Sequence, residues 1–403
     1  MSTLLTRRHV LAASGQIACG AAISMAIGGT VLQPRKAAAA QLGELQAADS
    51  NGLRLPAGFQ SRVVALSLLP VPAGPGQFLD YSWHMYPDGG ATFAQNDGGW
   101  IYVSNSETLP QLGAGVSALR FDATGRTISA YRILSDTRLN CAGGPTPWGT
   151  WLSCEEIDFG FVYECDPTGV QPAKKHRALG AFKHEAVAVD PVYHHLYLTE
   201  DESDGRLYRF SPNNYPDLSA GTLEVAIVDQ ASGYVSWRAL PLPNPTITPL
   251  GYLWPTRKQI SNSTAFKGGE GIWYHEGTIY FTTKGDNRVW SLDTHTQLLR
   301  VLYDAATNPS PILRGVDNVT VSASGKIIVA EDGDDMQLVA VDSAGQALPL
   351  LQVEGQSDSE ITGPAFSPAG DRLYFSSQRG PYFDGQSLGV TYEVHGPFNE
   401  LLR

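Results

Sequence analysis

Acidic side chains recur in this chain at matched places in a repeated apolar pattern. One set follows an apolar run: Glu107 after Val103-Ser-Asn-Ser106, Glu155-Glu156 after Leu152-Ser-Cys154, Glu200-Asp201 after Tyr197-Leu-Thr199, and Glu331-Asp332 after Ile328-Val-Ala330. A second set opens the preceding run: His184-Glu185, Glu270, Asp317-Asn318 and, slightly upstream, Glu360. In an antiparallel pair the start of one strand lies beside the end of the next, so both sets gather at one edge. A crowd of carboxylates repels itself unless it is neutralised. Multivalent cations are the simplest remedy, since carboxylates with Asn and backbone oxygens are hard-cation ligands. A single acid in such a place reads as a solvated turn cap; recurrence in phase is what points to metal. Cys141, in the loop Asn140-Cys141-Ala142-Gly143-Gly144-Pro145, leads toward the same edge. A thiolate among carboxylates suits a softer metal such as iron, while a lone Cys is also a common structural residue. Two places break the acid pattern, Thr282-Thr283-Lys284 and Gln378-Arg379, and offer positive charge to an anionic ligand.

The elements that carry these groups repeat. Six copies of strand, turn, stronger strand begin at Gly90, Gly144, Glu185, Glu270, Asn318 and Gly363, separated by 54, 41, 85, 48 and 45 residues. A period of about 40–50 with four short strands per unit is the spacing of propeller blades. Gly (42) and Pro (26) make up about one residue in six, as many turns between short strands require. The expected fold is all-β: a six-bladed β-propeller over residues 41–403, with a surface insertion at about 211–262 filling the long gap. The strand near Phe59–Leu66 is expected to close the ring with Gly389-Val-Thr-Tyr-Glu-Val394. The first strands line the central channel, so the acids ring one of its mouths.

Charge and the N-terminus bound the partners. The formal net charge is −12. Residues 1–40 carry Arg7, Arg8, Arg35 and Lys36 and no acid, so their removal takes the charge to −16. That field opposes nucleic acid and anionic membranes. Thr6-Arg7-Arg8-His9-Val10-Leu11, a weakly apolar Gly/Ala-rich run and Ala37–Ala40 resemble a twin-arginine signal peptide spanning 1–40. The expectations are export in the folded state by the twin-arginine machinery, a periplasmic or secreted monomer, and no stable membrane span after cleavage. Cys154 and Cys165 flank the turn Ile157-Asp-Phe-Gly160, where a cross-strand disulfide and a pair of small buried thiols are both open readings. His184 is the one histidine in phase with the repeat, and no strained Ser loop is present, which sets Ser-His-Asp chemistry aside.

At this point the sequence resembles the PhoX family of exported alkaline phosphatases. The residues that carry the likeness are Asn140-Cys-Ala-Gly-Gly-Pro-Thr-Pro-Trp-Gly-Thr-Trp-Leu-Ser-Cys-Glu-Glu156, Phe182-Lys-His-Glu-Ala-Val-Ala-Val-Asp-Pro191 and Leu198-Thr-Glu-Asp-Glu-Ser-Asp-Gly-Arg-Leu-Tyr-Arg-Phe210, with Glu270-Gly-Ile-Trp-Tyr274, Asp317-Asn-Val-Thr-Val321 and Glu331-Asp-Gly333. The likeness implies hydrolysis of small phosphomonoesters at a cluster of two iron and two or three calcium ions in the propeller mouth. It implies Cys141, Glu185 and Glu270 as iron ligands, Glu107, Asp317, Glu331 and Asp332 as calcium or shared ligands, and Asn140 on the substrate side. One departure concerns the phosphate clamp. Gly268 stands two residues before Glu270, where the family often places an Arg, leaving Lys267 or Arg379 to meet the phosphate. Two other readings fit the same mouth. One is a calcium-dependent lactonase-like hydrolase, which has no use for a thiolate. The other is a non-catalytic, cation-stabilised binding propeller.

Overall fold

The computed structural model describes residues 42–246, 253–383 and 386–402. Six antiparallel sheets follow one another along the chain, each entered at its innermost strand. Blade I comprises Pro87–Ala94, Trp100–Ser106, Gly115–Phe121 and Thr127–Leu134; blade II comprises Asn140–Pro145, Trp151–Glu155, Val162–Cys165 and Lys174–His176. Blade III has five strands, His184–Asp190, His195–Glu200, Leu207–Asn214, Asp217–Val228 and Val235–Ala239. Blade IV runs Gly269–His275, Thr278–Thr283, Arg288–Asp293 and Leu299–Asp304. Blade V runs Val316–Val321, Ile327–Glu331, Gln337–Val341 and Ala347–Val353. Blade VI comprises Ile361–Phe366, Arg372–Ser377 and Val390–His395, and its fourth strand is the N-terminal Gln60–Leu66. The fold is a six-bladed β-propeller.

The segment 211–262 therefore contains the end of one blade III strand and the whole of two more. After Val235–Ala239 the chain leaves the sheet and returns through Thr256–Lys258 to blade IV. The proposed leader, 1–40, lies outside the described residues. Among those described, no helix is long and apolar enough to cross a membrane.

Ring closure joins the two ends of the chain. Gln60 pairs with His395 and Leu66 with Val390, antiparallel. Leu53–Arg54 adds an outer strand to blade V. Glu393, buried, accepts from Arg62 Nη2 (2.6 Å), Arg372 Nη1 (2.6 Å) and the Tyr374 hydroxyl (2.6 Å), tying the N-terminal strand to two C-terminal ones. Each blade is a sheet apolar on both faces, and neighbours bury those faces against each other. Between blades VI and I, for example, Tyr374 stacks on Tyr102 and Phe121 with ring centroids 5.1 and 5.2 Å apart.

The hairpin of blade II places the cysteines out of register. Trp151 faces Cys165 and Cys154 faces Val162, so the two thiols lie at opposite ends of the strand pair. All three described cysteines are free and buried. The disulfide reading fails because the hairpin is centred on Asp158 rather than on 159–160, which sets Cys165 three residues beyond the partner of Cys154.

Candidate metal centre

The site is built by one local irregularity, repeated. In blades I to V the innermost strand has two residues opposite one on its neighbour. They are Asp88-Gly89 against Asn105, Cys141-Ala142 against Cys154, Glu185-Ala186 against Thr199, Glu270-Gly271 against Thr282, and Asp317-Asn318 against Ala330. A bulge of this kind re-aims a side chain that a regular ladder would keep in the sheet face. In blade VI the irregularity falls one step later, at Gly363-Pro364. Five blades thus offer Asp88, Cys141, Glu185, Glu270 and Asp317 at one level. The second bulge residue is small in four of the five, and this lets the strands converge. A Cβ on Gly89 would come 2.5 Å from Ala142 Cα, and one on Gly271 would come 2.5 Å from Val319 N. Below the ring these small residues line a narrow, partly open cavity of about 20 Å³.

A second ring lies at the ends of the second strands. The N–H groups of Glu107, Glu156, Lys284, Asp332 and Gln378 donate to the carbonyls of Tyr86, Leu139, Gly268, Gly315 and Glu360, two residues before the bulge in blades I, II, IV and V and three before it in blade VI. Asp201 holds the same step in blade III, following Glu200, which pairs with His184. Four of the accepting residues, Tyr86, Leu139, Gly268 and Gly315, have φ between 41° and 75°.

The two rings meet. Asp88, Glu107 and Cys141 have ligand atoms within 4.8 Å of one another; so do Cys141, Glu156 and Glu185, and so do Glu185, Glu270 and Asp317. Cys141 Sγ lies 3.3 Å from Glu185 Oε1 and 3.7 Å from Asp88 Oδ2. Gln378 Nε2 donates to Asp88 Oδ2 (2.7 Å) and Glu107 Oε2 (2.6 Å). Glu185 Oε2 is buried and has no hydrogen-bond partner among the described residues. Burial, and then the neighbouring carboxylates, push Asp88, Glu185, Glu270 and Asp317 well above the ordinary carboxylate range. Burial and the charges of Glu107 and Asp201 raise Glu156 to about 8. Burial, then Asp88 and Glu185, raise the Cys141 thiol. Every one of these shifts records unneutralised negative charge held out of water.

The ring separates residues that are adjacent in sequence. In each acidic pair the first member is a strut and the second faces the mouth. Glu155 accepts from the N–H groups of Arg138 (3.1 Å) and Phe161 (3.2 Å). Glu200 accepts from Arg206 N–H (3.1 Å) and the Tyr208 hydroxyl (2.8 Å), and Glu331 from Arg314 N–H (2.8 Å). Glu331 is therefore not brought into the three groups, while Asp332 lies beside the mouth, 3.9 Å from Lys284 Nζ. Asn140 is also held within its blade: its Nδ2 donates to Ser153 Oγ (2.9 Å) and its Oδ1 accepts from Thr137. Lys267 is exposed and packs beside Gly285. Arg379 is at the rim, its Nη2 2.8 Å from Glu360 Oε1. His184 stacks on Phe182 (3.6 Å) with Nε2 donating to Gly180 O, and burial lowers it to about 3.

One functional candidate, Asp88, escaped the sequence reading, and Gln378 entered it only as a break in the acid pattern. Asp88 lies in Pro87-Asp88-Gly89-Gly90, the same frame as Asn140-Cys141-Ala142-Gly143, and aligning those two segments one residue at a time would have found it. Gln378 is the polar bridge between two of the acids.

A family model described as alkaline phosphatase PhoX matches residues 91–158, 156–299 and 293–380. No curated protein sequence matches the chain at a significant level. Among solved structures, the chain is similar to Pseudomonas fluorescens PhoX in complex with vanadate, a transition state analogue. The TM-score is 0.71 at 18% identity, covering 88% of this chain and 98% of that one. Lesser likenesses are to a gluconolactonase from Xanthomonas campestris (TM-score 0.43, 15% identity, 78% and 87% covered) and to regucalcin, a calcium-binding protein, from Agrobacterium tumefaciens (0.42, 18%, 86% and 98%). At such identities these likenesses concern the fold alone. With a family match running from blade I to blade VI, the chain belongs to the alkaline phosphatase PhoX family.

Proposed function

We propose that this protein is an exported, metal-dependent phosphatase that hydrolyses small phosphomonoesters, with two iron and two or three calcium ions held in the mouth. The observation that carries the reading is the thiol of Cys141 set between the carboxylates of Asp88 and Glu185, with Glu185 Oε2 buried and unpartnered. That donor set fits a cation: a buried carboxylate without a partner is costly, and sulfur with oxygen suits iron. Cys141, Glu185 and Glu270 would hold iron. Asp88, Glu107, Glu156 and Asp317 would hold calcium or bridge, with Asp332 at the edge. Bound ions would supply positive field, polarise the P–O bonds and lower the pKa of water.

The chain's own residues do the rest. The bulges fix five ligands on five separate sheets, so no single loop movement opens the ring. The small residues beneath narrow the axis to a cavity of about 20 Å³, too small for a phosphomonoester. Arg379 and Lys284 are the cations nearest the carboxylates; Arg379, with a 42% exposed side chain, is placed to turn toward a phosphate. Lys267 would need to swing inward to do the same.

The test is hydrolysis of a chromogenic phosphomonoester by the purified full chain, with elemental analysis of the same sample. Chelator-sensitive turnover with iron and more than one calcium per chain is the expected result; absence of both metals ends this reading. Gly268→Arg is expected to raise kcat/KM. A Cβ at 268 would lie 3.8 Å from Glu270 Oε1, so a side chain there starts inside the mouth. The φ of 64° makes the substitution costly in stability.

The Gly at 268 also favours a second reading, a cation-stabilised binding propeller without turnover. It predicts metal content with no hydrolysis of any phosphoester, by the wild-type chain or by Gly268→Arg.

A further inference from the structure

We infer that Lys284 is a resident cation of the carboxylate ring: it takes the place of one divalent ion at blade IV and positions Glu270 for the ions that remain. The inference rests on the metal-site reading above.

The six-fold frame makes Lys284 conspicuous. At the same backbone step, blades I, II, III and V present Glu107, Glu156, Asp201 and Asp332, and blade VI presents neutral Gln378. Only blade IV presents a cation. The register is not at fault, because the Lys284 N–H donates to Gly268 O (2.9 Å) as those of Glu107, Glu156, Asp332 and Gln378 do in their blades. The side chain is turned into the ring: Nζ lies 3.0 Å from Glu270 Oε1 and 3.9 Å from Asp332 Oδ2.

Glu270 is 2% exposed, and a carboxylate so placed must be paired. Its Oε1 has the Lys284 ammonium at ion-pair distance and no hydrogen-bond partner among the described residues. Glu270 also belongs to the group with Glu185 and Asp317, whose ligand atoms lie within 4.8 Å of one another. An ammonium beside this carboxylate restrains its orientation toward that group. An ammonium has charge +1 and donates hydrogen bonds, whereas calcium takes six to eight oxygens. Around blade IV, then, the ring needs fewer oxygens and one fewer ion than an all-acid ring.

Gly268 and Lys284 are neighbours across the hairpin, joined by the bond from Lys284 N–H to Gly268 O. A Cβ at 268 would stand 3.6 Å from Gly285 N and 3.1 Å from Asp201 Oδ1. A side chain at 268 would thus start between Asp201 and the turn Lys284–Asp286, in the space beside Glu270.

The experiment compares wild type, Lys284→Glu and Lys284→Met as full chains. Each is stripped with chelator, re-equilibrated with calcium and analysed for bound metal, with circular dichroism and Tm recorded with and without calcium. Lys284→Glu is expected to bind one more calcium per chain than wild type. Lys284→Met is expected to have a lower Tm than wild type in chelator and a larger calcium-induced rise. If Lys284→Glu does not fold, the Lys284→Met comparison decides. Folded Lys284→Glu with wild-type calcium content, or Lys284→Met with a wild-type calcium response, overturns the role of Lys284 alone. A wild-type chain that takes up no calcium overturns the metal site itself and this inference with it.

Discussion

In blade V the Glu331 carboxylate receives the Arg314 N–H at 2.8 Å, while the next residue, Asp332, lies beside Lys284 at the mouth. Side chains alternate across a strand, so neighbours at a strand end face different tasks. Two substitutions separate them from the metal ring proper. Glu331→Ala leaves the Arg314 N–H without its charged partner and is expected to cost about 1–3 kcal/mol of stability, with metal content unchanged. Asp88→Asn keeps the size but removes the charge beside Cys141 and replaces one of the two oxygens that accept from Gly89 N–H and Gln378 Nε2 with a donor. It is expected to lower bound metal and phosphatase activity together while Tm in chelator holds or rises, because Asp88 is itself repelled by Glu107, Asp317 and Glu360. Elemental analysis with denaturant unfolding checks both; loss of metal in Glu331→Ala would return that residue to the site.

At the scale of the element, the bulged inner strand is the unit of function. Two residues against one turns a ligand out of the sheet, and a small residue beside it lets the next blade approach. Gly144 shows how tight that approach is: an added Cβ would sit 1.7 Å from Val187 O, a backbone atom that cannot step aside. Gly144→Ala must push blade II from blade III, and overpacking of this kind costs about 1–3 kcal/mol or more. Since Cys141 is on one of these blades and Glu185 on the other, bound iron is expected to fall along with Tm. A variant with native metal content and Tm would show that the strands are free to separate without cost.

Across the whole molecule, the ring is closed by strands from opposite ends of the chain. Glu393 is the polar lock at that seam, shared by Arg62, Arg372 and Tyr374. Removing a charged hydrogen-bond partner at such a place costs about 1–3 kcal/mol. Glu393→Ala is expected to lower the denaturant midpoint and to speed proteolysis of the 42–66 segment before the rest. Simultaneous cleavage everywhere would mean that closure is not the weak point. The ligands are on blades I to V and Glu393 touches none of them, so the metal content of the folded variant is expected to match wild type.

The propeller and its closing strands were legible in the residues, because blade period and strand composition are local properties that repeat. The gathering of acids at one mouth was legible for the same reason: position within a repeat becomes position around an axis. Tertiary structure alone decided which acid of each pair faces inward, since that depends on where the inner strand bulges and on which loop N–H comes to meet the carboxylate. It decided against a Cys154–Cys165 pair through strand register, used up Asn140 within its own blade, and brought Asp88 and Lys284 to the ring. Spacing along the chain sets which blade a residue belongs to; only the packed backbone sets which way its side chain points.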